Sequence, residues 1–275
     1  MKLIALLLLV VSSAPEATPT PDPLARIAII GASASAGWGV VIDDVPSNNP
    51  TPIHHKHVDL AEVLPIVLTG AKPHMSRHVG VFFFANPRKV GRIEMDAALA
   101  ADPTLIVAVD FLFWYAYGDR PDSARMNMLT RGLRELERFD GPMLVGDIPD
   151  VSDAADVKPL ALISKRQIPS PETLLALNAR IRAWADEQPD VHVIPLADTV
   201  DQWRAGTPPN LNGHAWPADC RFIQFDRLHP TAEGLVATAE LVAESIRSHV
   251  TPVEVQADPA VVLENLRTSK RTTTP

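Results

Sequence analysis

The chain has 275 residues, enough for one sizeable domain or two small ones. A composition that is 46% hydrophobic and 21% charged excludes disorder over most of the length. With 25 Lys and Arg against 33 Asp and Glu, the net charge of −8 excludes a protein built to hold nucleic acid phosphates. The single cysteine, Cys220, excludes an internal disulfide framework and a Cys-based zinc cluster. The 26 prolines announce rigid loops and abrupt helix starts.

Lys2 is followed by the apolar run Leu3–Val11 and then by Ser12, Ser13, Ala14, Pro15, Glu16 and Ala17. One positive charge, a short apolar core and small residues after it make a secretory signal peptide over residues 1–17. Ala17 is preferred to Ala14 as the cleavage site because Pro15 directly follows Ala14. The run is too short to span a bilayer with ease, which takes about 20 apolar residues. The expectation is a periplasmic or secreted protein with no stable membrane insertion after cleavage. Residues 18–23 read as a stiff leader.

Along the mature chain, Arg26–Ile30 is an apolar, β-branched strand that ends in Gly31. Val58–Leu68 reads as an amphipathic helix interrupted by Pro65, and Val79–Phe84 as a second strand. Asn86–Pro87 starts a helix that ends over Ala97–Ala101. Leu105–Val109 is a third strand, Pro121–Phe139 a charged surface helix and Met143–Val145 a fourth strand. Pro171–Glu187 is a helix, Val191–Leu196 a fifth strand and Thr231–His249 a long final helix opened by Pro230. Apolar strands separated by helices imply a parallel sheet covered on both faces. The fold expected is one three-layer α/β/α sandwich with a mainly parallel, flavodoxin-like central sheet, over residues 24–249. Residues 250–275 read as a tail with one apolar patch, Pro259–Leu266, and a disordered end.

In such a fold the site lies beyond the carboxyl ends of the strands. The first turn there is Gly31-Ala32-Ser33-Ala34-Ser35-Ala36-Gly37. It would expose Ser33 beside free backbone N–H groups suited to an oxyanion. A serine hydroxyl needs a base within hydrogen-bond reach. Far along the chain, Asp226-Arg227-Leu228-His229-Pro230 places a carboxylate three residues before an imidazole, just ahead of a helix. One turn of chain can bring the two together, fixing the tautomer of His229.

Together these segments resemble the SGNH (GDSL-type) hydrolases. The family's first block is Gly-Asp-Ser-x-Ser, here Gly31-Ala32-Ser33-Ala34-Ser35; its last is Asp-x-x-His-Pro, here Asp226 to Pro230. The stretch from Leu177-Asn178 to Leu196 is also similar to the family's later half. The resemblance implies Ser33 as nucleophile, His229 as base and Asp226 as its partner. It implies hydrolysis of carboxylic esters through an acyl-enzyme, with no metal and no cofactor. Two departures stand out. Ala32 replaces an Asp, a change expected to affect the rigidity of the turn more than the chemistry. In the third block, Gly-x-Asn-Asp, the count from Pro103 puts Phe111 at the glycine and Phe113 at the asparagine, normally an oxyanion donor. The second-block glycine corresponds to Gly91, so the expected hole is the N–H groups of Ser33 and Gly91; Asn86 is a further amide nearby that nothing in the sequence places. Phe111, Phe113 and Trp114 are the expected substrate-binding residues.

Other constellations are weaker. His54, His55 and His57, and His74 with His78 at helical i, i+4 spacing, offer metal ligands, but no HExxH glutamate accompanies them. Trp114, Tyr115, Tyr117, Trp203 and Trp216 are candidates for an aromatic cleft or for plain packing. A nucleotide-binding oxidoreductase is the rival from the Gly-rich turn, yet it lacks a Tyr-x-x-x-Lys pair: Asp119 and Pro121 stand four residues after Tyr115 and Tyr117. A non-catalytic, glycan-binding protein on the same scaffold is a third reading. The preferred expectation is an exported serine esterase acting on a small-molecule or carbohydrate ester, with acylated carbohydrate inferred from export and tryptophan content. The sequence leaves acyl length and oligomeric state open.

Overall fold

The computed structural model describes residues 22–43, 55–159, 161–207, 209–256 and 258–269. The expected signal peptide and most of the expected leader, together with His54 and residues 270–275, lie outside the described residues. In chain order come β1 (Arg26–Gly31), a short ribbon of β2 (Val41–Asp43) and β3 (His55–His57), α1 (Leu60–Val67) and β4 (His74–Val79). Then follow α2 (Pro87–Ala100), β5 (Leu105–Ala108), α3 (Phe113–Ala116), α4 (Asp122–Leu136), β6 (Met143–Gly146), α5 (Pro171–Asp186) and β7 (Val191–Ile194). The chain closes with α6 (Leu196–Arg204), the hairpin β8 (Asn210–Leu211) and β9 (His214–Ala215), α7 (Ala232–His249) and α8 (Pro259–Thr268).

Five strands form one parallel sheet in the order β4-β1-β5-β6-β7. Alternate residues of a strand point to opposite faces, and the two halves of the core follow that alternation. Ile27, Ile29, Leu105, Val107 and Leu144 pack with residues of α1, α7 and α8. Ala28, Ile30, Ile106, Ala108, Met143 and Val145 pack with residues of α2, α4 and α5. A sheet buried on both sides has no polar face, which is why β1, β5 and β6 read as unbroken apolar runs. The expected three-layer α/β/α sandwich is the observed architecture.

Two expectations change. The second strand is His74–Val79, not Val79–Phe84. It lies at the sheet edge, is only partly buried, and pairs with β1 in register from Arg26 opposite His74 to Gly31 opposite Val79. An edge strand needs no continuous apolar run. The phenylalanines instead make a turn and a short 3-10 helix, with Phe83 buried and Phe82 and Phe84 exposed. The domain also runs past His249. Thr69 N–H donates to Glu254 O at 3.1 Å and Gln256 N–H to Val67 O at 2.8 Å, and Val262 and Leu266 of α8 are buried in the core.

In chain order the sheet strands run second, first, third, fourth, fifth across the sheet, so the connections switch direction between β1 and β5. The crevice outside the carboxyl ends of those two strands is where such a fold places a ligand. The turn carrying Ser33 follows β1, and Asp110 follows β5.

Candidate active site

Ser33 sits on the tight turn that ends β1. Gly31 is required there twice over: its φ is +154°, and a Cβ at this position would overlap Asp110 Oδ1. Asp110, buried at the end of β5, accepts from Ala32 N–H (2.9 Å), Ala34 N–H (2.9 Å), Ser35 N–H (3.2 Å) and the Ser35 hydroxyl (2.6 Å). Behind it, Glu94 of α2 accepts from Gly31 N–H at 3.1 Å. Burial first, and then the charge of Asp110, push the Glu94 carboxyl up to about 9, so it is neutral at ordinary pH.

The second segment is just as closely bonded. Asp226 Oδ1 accepts from Leu228 N–H (2.9 Å) and His229 N–H (3.0 Å), and Arg227 takes a left-handed φ of +61° to close the turn. Gln224 N–H donates to His229 O at 2.8 Å, and its side-chain amide donates to Trp38 O and Pro230 O. Thr231 then caps α7 by accepting from Gly234 N–H at 3.0 Å. Three features thus fix where His229 points: an Asx-type turn, a backbone bridge and a helix start.

The result is a relay. His229 Nδ1 lies 2.7 Å from Asp226 Oδ2, and His229 Nε2 lies 2.9 Å from Ser33 Oγ. Burial pushes the Asp226 carboxyl up, but the hydrogen bonds from the His229 ring and from the His229 and Leu228 amides outweigh it. The carboxyl is held below its usual range and stays ionised. An ionised Asp226 selects the tautomer with the proton on Nδ1, which leaves the Nε2 lone pair facing the serine hydroxyl.

The cleft beside Ser33 is largely apolar. Phe113, Trp114, Val151, Leu196, Val200 and Trp203 line it, with Asp147 and Arg204 among the few charged groups. Phe113 and Trp114, two of the three expected substrate-binding residues, are thus part of the cleft wall. Phe111 does not: it is fully buried, its ring 5.4 Å from that of Phe83 and 5.7 Å from that of Tyr115. Gly91 is also displaced from the expected hole. It lies inside α2, in the intrahelical hydrogen-bond ladder, and its bare Cα makes room for the Tyr115 hydroxyl and the Phe111 ring. Asn86 spends its side-chain oxygen capping α2, accepting from Lys89 N–H at 3.1 Å. Among the described residues lining the cleft there is no asparagine or glutamine.

His74 and His78 lie on a strand, not a helix, so four residues separate them by roughly 13 Å, too far to share one ion. Tyr115 and Tyr117 are fully buried, and Trp216 packs on Phe222 at 5.2 Å in the core. The Gly-rich turn offers little to a pyrophosphate, because a carboxylate already occupies three of its amides. Asp110 and Glu94 were not expected from sequence as parts of the site. The available signal for Asp110 was an acid directly after the buried run Leu105–Val109, at the switch point.

No protein-family model and no curated protein sequence matches the chain. Solved structures do. A lipase/acylhydrolase from Enterococcus faecalis superposes with a TM-score of 0.53 at 14% identity, covering 85% of this chain and all (100%) of that one. A putative GDSL-like lipase from Parabacteroides merdae superposes with a TM-score of 0.50 at 13% identity, covering 80% and 95% of the two chains. A gut microbial diltiazem-metabolizing enzyme gives 0.53 at 10% identity over 82% of this chain, which spans about half (47%) of that protein.

The fold is that of the SGNH (GDSL-type) hydrolases.

Within the SGNH-type fold, the crevice between β1 and β5 is the place where Ser33, His229 and Asp226 meet. This SGNH-like chain departs from the blocks it resembles at two points of that crevice. A phenylalanine, Phe113, faces the cleft where the third-block asparagine is expected, and the carboxylate of Asp110, just after β5, orders the first turn.

Proposed function

We propose that the protein is a serine hydrolase that cleaves carboxylic esters through an acyl-enzyme. The carrying observation is the relay Ser33 Oγ–His229 Nε2 at 2.9 Å and His229 Nδ1–Asp226 Oδ2 at 2.7 Å. In this reading His229 takes the Ser33 proton as Oγ attacks the ester carbonyl. The tetrahedral oxyanion is met by the N–H of Ser33. His229 then returns the proton to the leaving alcohol, and water repeats the sequence to free the acid. The apolar cleft favours an apolar acyl group. Trp38, 43% exposed with its ring 6.1 Å from that of His229, offers a flat face suited to a sugar, which keeps acylated carbohydrate as the proposed natural substrate. The signal-peptide reading makes the proposed setting periplasmic or extracellular.

One observation favours a second reading, a ligand-binding protein on the same scaffold: among the described residues, neither a side-chain amide nor Gly91 lines the cleft beside Ser33 to complete the hole. Labelling with a fluorophosphonate, followed by peptide mapping, separates the two. The hydrolase is labelled at Ser33 and loses the label in Ser33→Ala. A protein that stays unlabelled at Ser33 and hydrolyses no p-nitrophenyl ester is the binder.

A further inference from the structure

The N–H groups of the turn from Gly31 to Trp38 can be followed one by one. Gly31 donates to Glu94 Oε2, and Ala32, Ala34 and Ser35 donate to Asp110. Ala36, Gly37 and Trp38 donate to Ala32 O, Ala34 O and Ser33 O. Ser33 alone has no acceptor among the described residues. Ser33 is only partly buried and lines the cleft, so its open N–H is free to meet water or a ligand there. It is the amide an oxyanion would need.

We infer that Asp110 is the positioning residue of the nucleophile: one carboxylate clamps the amides on both sides of Ser33, aiming Oγ at His229 and leaving the Ser33 N–H open to the oxyanion. The inference rests on the serine-hydrolase reading. Asp110 Oδ1 holds Ala32 N–H and Oδ2 holds Ala34 N–H, so the peptide units before and after the one that carries the Ser33 N–H are each pinned by a charge-assisted bond. Ser35 adds its hydroxyl at 2.6 Å and its amide at 3.2 Å. The first-block aspartate of the resemblance is missing at Ala32, and the Asp110 carboxylate, from the loop after β5, reaches the same turn. The reach depends on Gly31, where a Cβ would overlap Asp110 Oδ1 and come within 2.9 Å of Ser35 Oγ. Sequence position 31 and sequence position 110 are therefore parts of one device, joined across the switch point of the sheet. Asp110 does not touch a substrate in this account; it acts through the peptide units of residue 33.

The test uses the full chain and a p-nitrophenyl ester, with each kcat expressed per site titrated by a fluorophosphonate. Asp110→Ala removes every acceptor, and Asp110→Asn turns an N–H₂ toward one of the clamped amides. Both variants are expected to lose roughly 10²-fold or more in kcat per titrated site, since a misplacement near 1 Å costs about that much. KM should move by less than about threefold, because the cleft walls are untouched. Labelling of Ser33 should slow in parallel. A merely structural role would lower the number of titrated sites and leave kcat per site alone. The proposal is overturned if both variants keep kcat per site within about threefold of the parent, or if both fail to fold and so mark Asp110 as a determinant of the fold. A parent protein that neither labels at Ser33 nor differs from Ser33→Ala removes the hydrolase reading, and this inference with it.

Discussion

Ser33 and His229 are 196 residues apart in the chain, and their Oγ and Nε2 atoms are 2.9 Å apart in space. Nothing local makes that contact. It requires β1 to end at the switch point and α7 to start at the same edge of the sheet. If the pair works as nucleophile and base, Ser33→Ala and His229→Ala should each lower ester hydrolysis by roughly 10³-fold or more. The double variant should be little worse than either single one, because the two groups act as a unit. Asp226→Asn should cost as much or less, since it disturbs the tautomer while nucleophile and base remain. Steady-state rates on folded protein, with circular dichroism as the control, decide this. Full activity in Ser33→Ala would remove the nucleophile.

The buried Glu94 gives the fold a pH dependence whose sign can be worked out. Its carboxyl is raised from 4.5 to about 9, mainly by burial and then by the charge of Asp110, against the pull of the Gly31 N–H. Between those two values the folded protein holds a proton that the unfolded chain has released. Stability from this group is therefore full at the acid end, falls as pH rises through the window and levels off above about 9. Glu94→Gln replaces the neutral acid by a neutral amide and should flatten that slope. Urea midpoints for both proteins from mildly acid to mildly alkaline pH provide the check. An equal decline in the variant would assign the slope to other groups.

A second buried acid reports on itself. Glu240 of α7 accepts from the Trp216 indole N–H at 3.0 Å, and burial raises its carboxyl to about 7, with Asp258 adding to the rise. Ionisation strengthens an N–H···O bond to the indole, so Trp216 emission should shift as pH passes through the neutral range. The chain has five tryptophans, so the useful quantity is the difference between the parent and Glu240→Gln. A difference that does not change with pH would mean that Glu240 does not titrate in that range.

How much of the fold and of the candidate site is legible in the sequence depends on where each signal resides. The three strands β1, β5 and β6 are buried on both faces, so their apolar runs announce them. The edge strand β4, with the sequence HMSRHV, announces nothing, while the run VFFF beside it looks like a strand and is a turn. The short pieces α3 and α6 and the ribbon β2–β3 carry no period long enough to detect. In the candidate site, the turns that carry Ser33, Asp226 and His229 have recognisable local spacing, and the structure brings the three side chains into contact. Gly91 misled, because a glycine in the first half of a helix can serve either a hole or a close packing contact. Here it makes room for Tyr115. Asp110 could be counted to its position but not to its role, because its partners lie 75 to 78 residues away.

The cleft itself makes a prediction about acyl length. Its walls beside Ser33 come from Phe113, Trp114, Val151, Leu196, Val200 and Trp203, and Phe222 stacks on Trp203 with ring centroids 5.1 Å apart. An acyl chain entering this space trades water for apolar contact, which is worth about 0.8 kcal/mol per methylene, or about fourfold in affinity. If that contact persists in the transition state, kcat/KM should climb by up to about fourfold per added methylene from the acetyl ester onward. The climb should stop where the chain meets the far wall, and longer esters should gain nothing or lose. Val200 is the residue to change, because it is apolar, it lines the cleft, and it lies on α6, away from the relay. Val200→Phe should move the optimum to shorter chains, lowering the ratio of long-chain to short-chain kcat/KM by roughly tenfold for one or two excluded methylenes. The measurement is a p-nitrophenyl ester series on parent and variant. A flat chain-length profile in the parent would mean that the acyl group lies elsewhere and that this apolar space serves the core or another ligand.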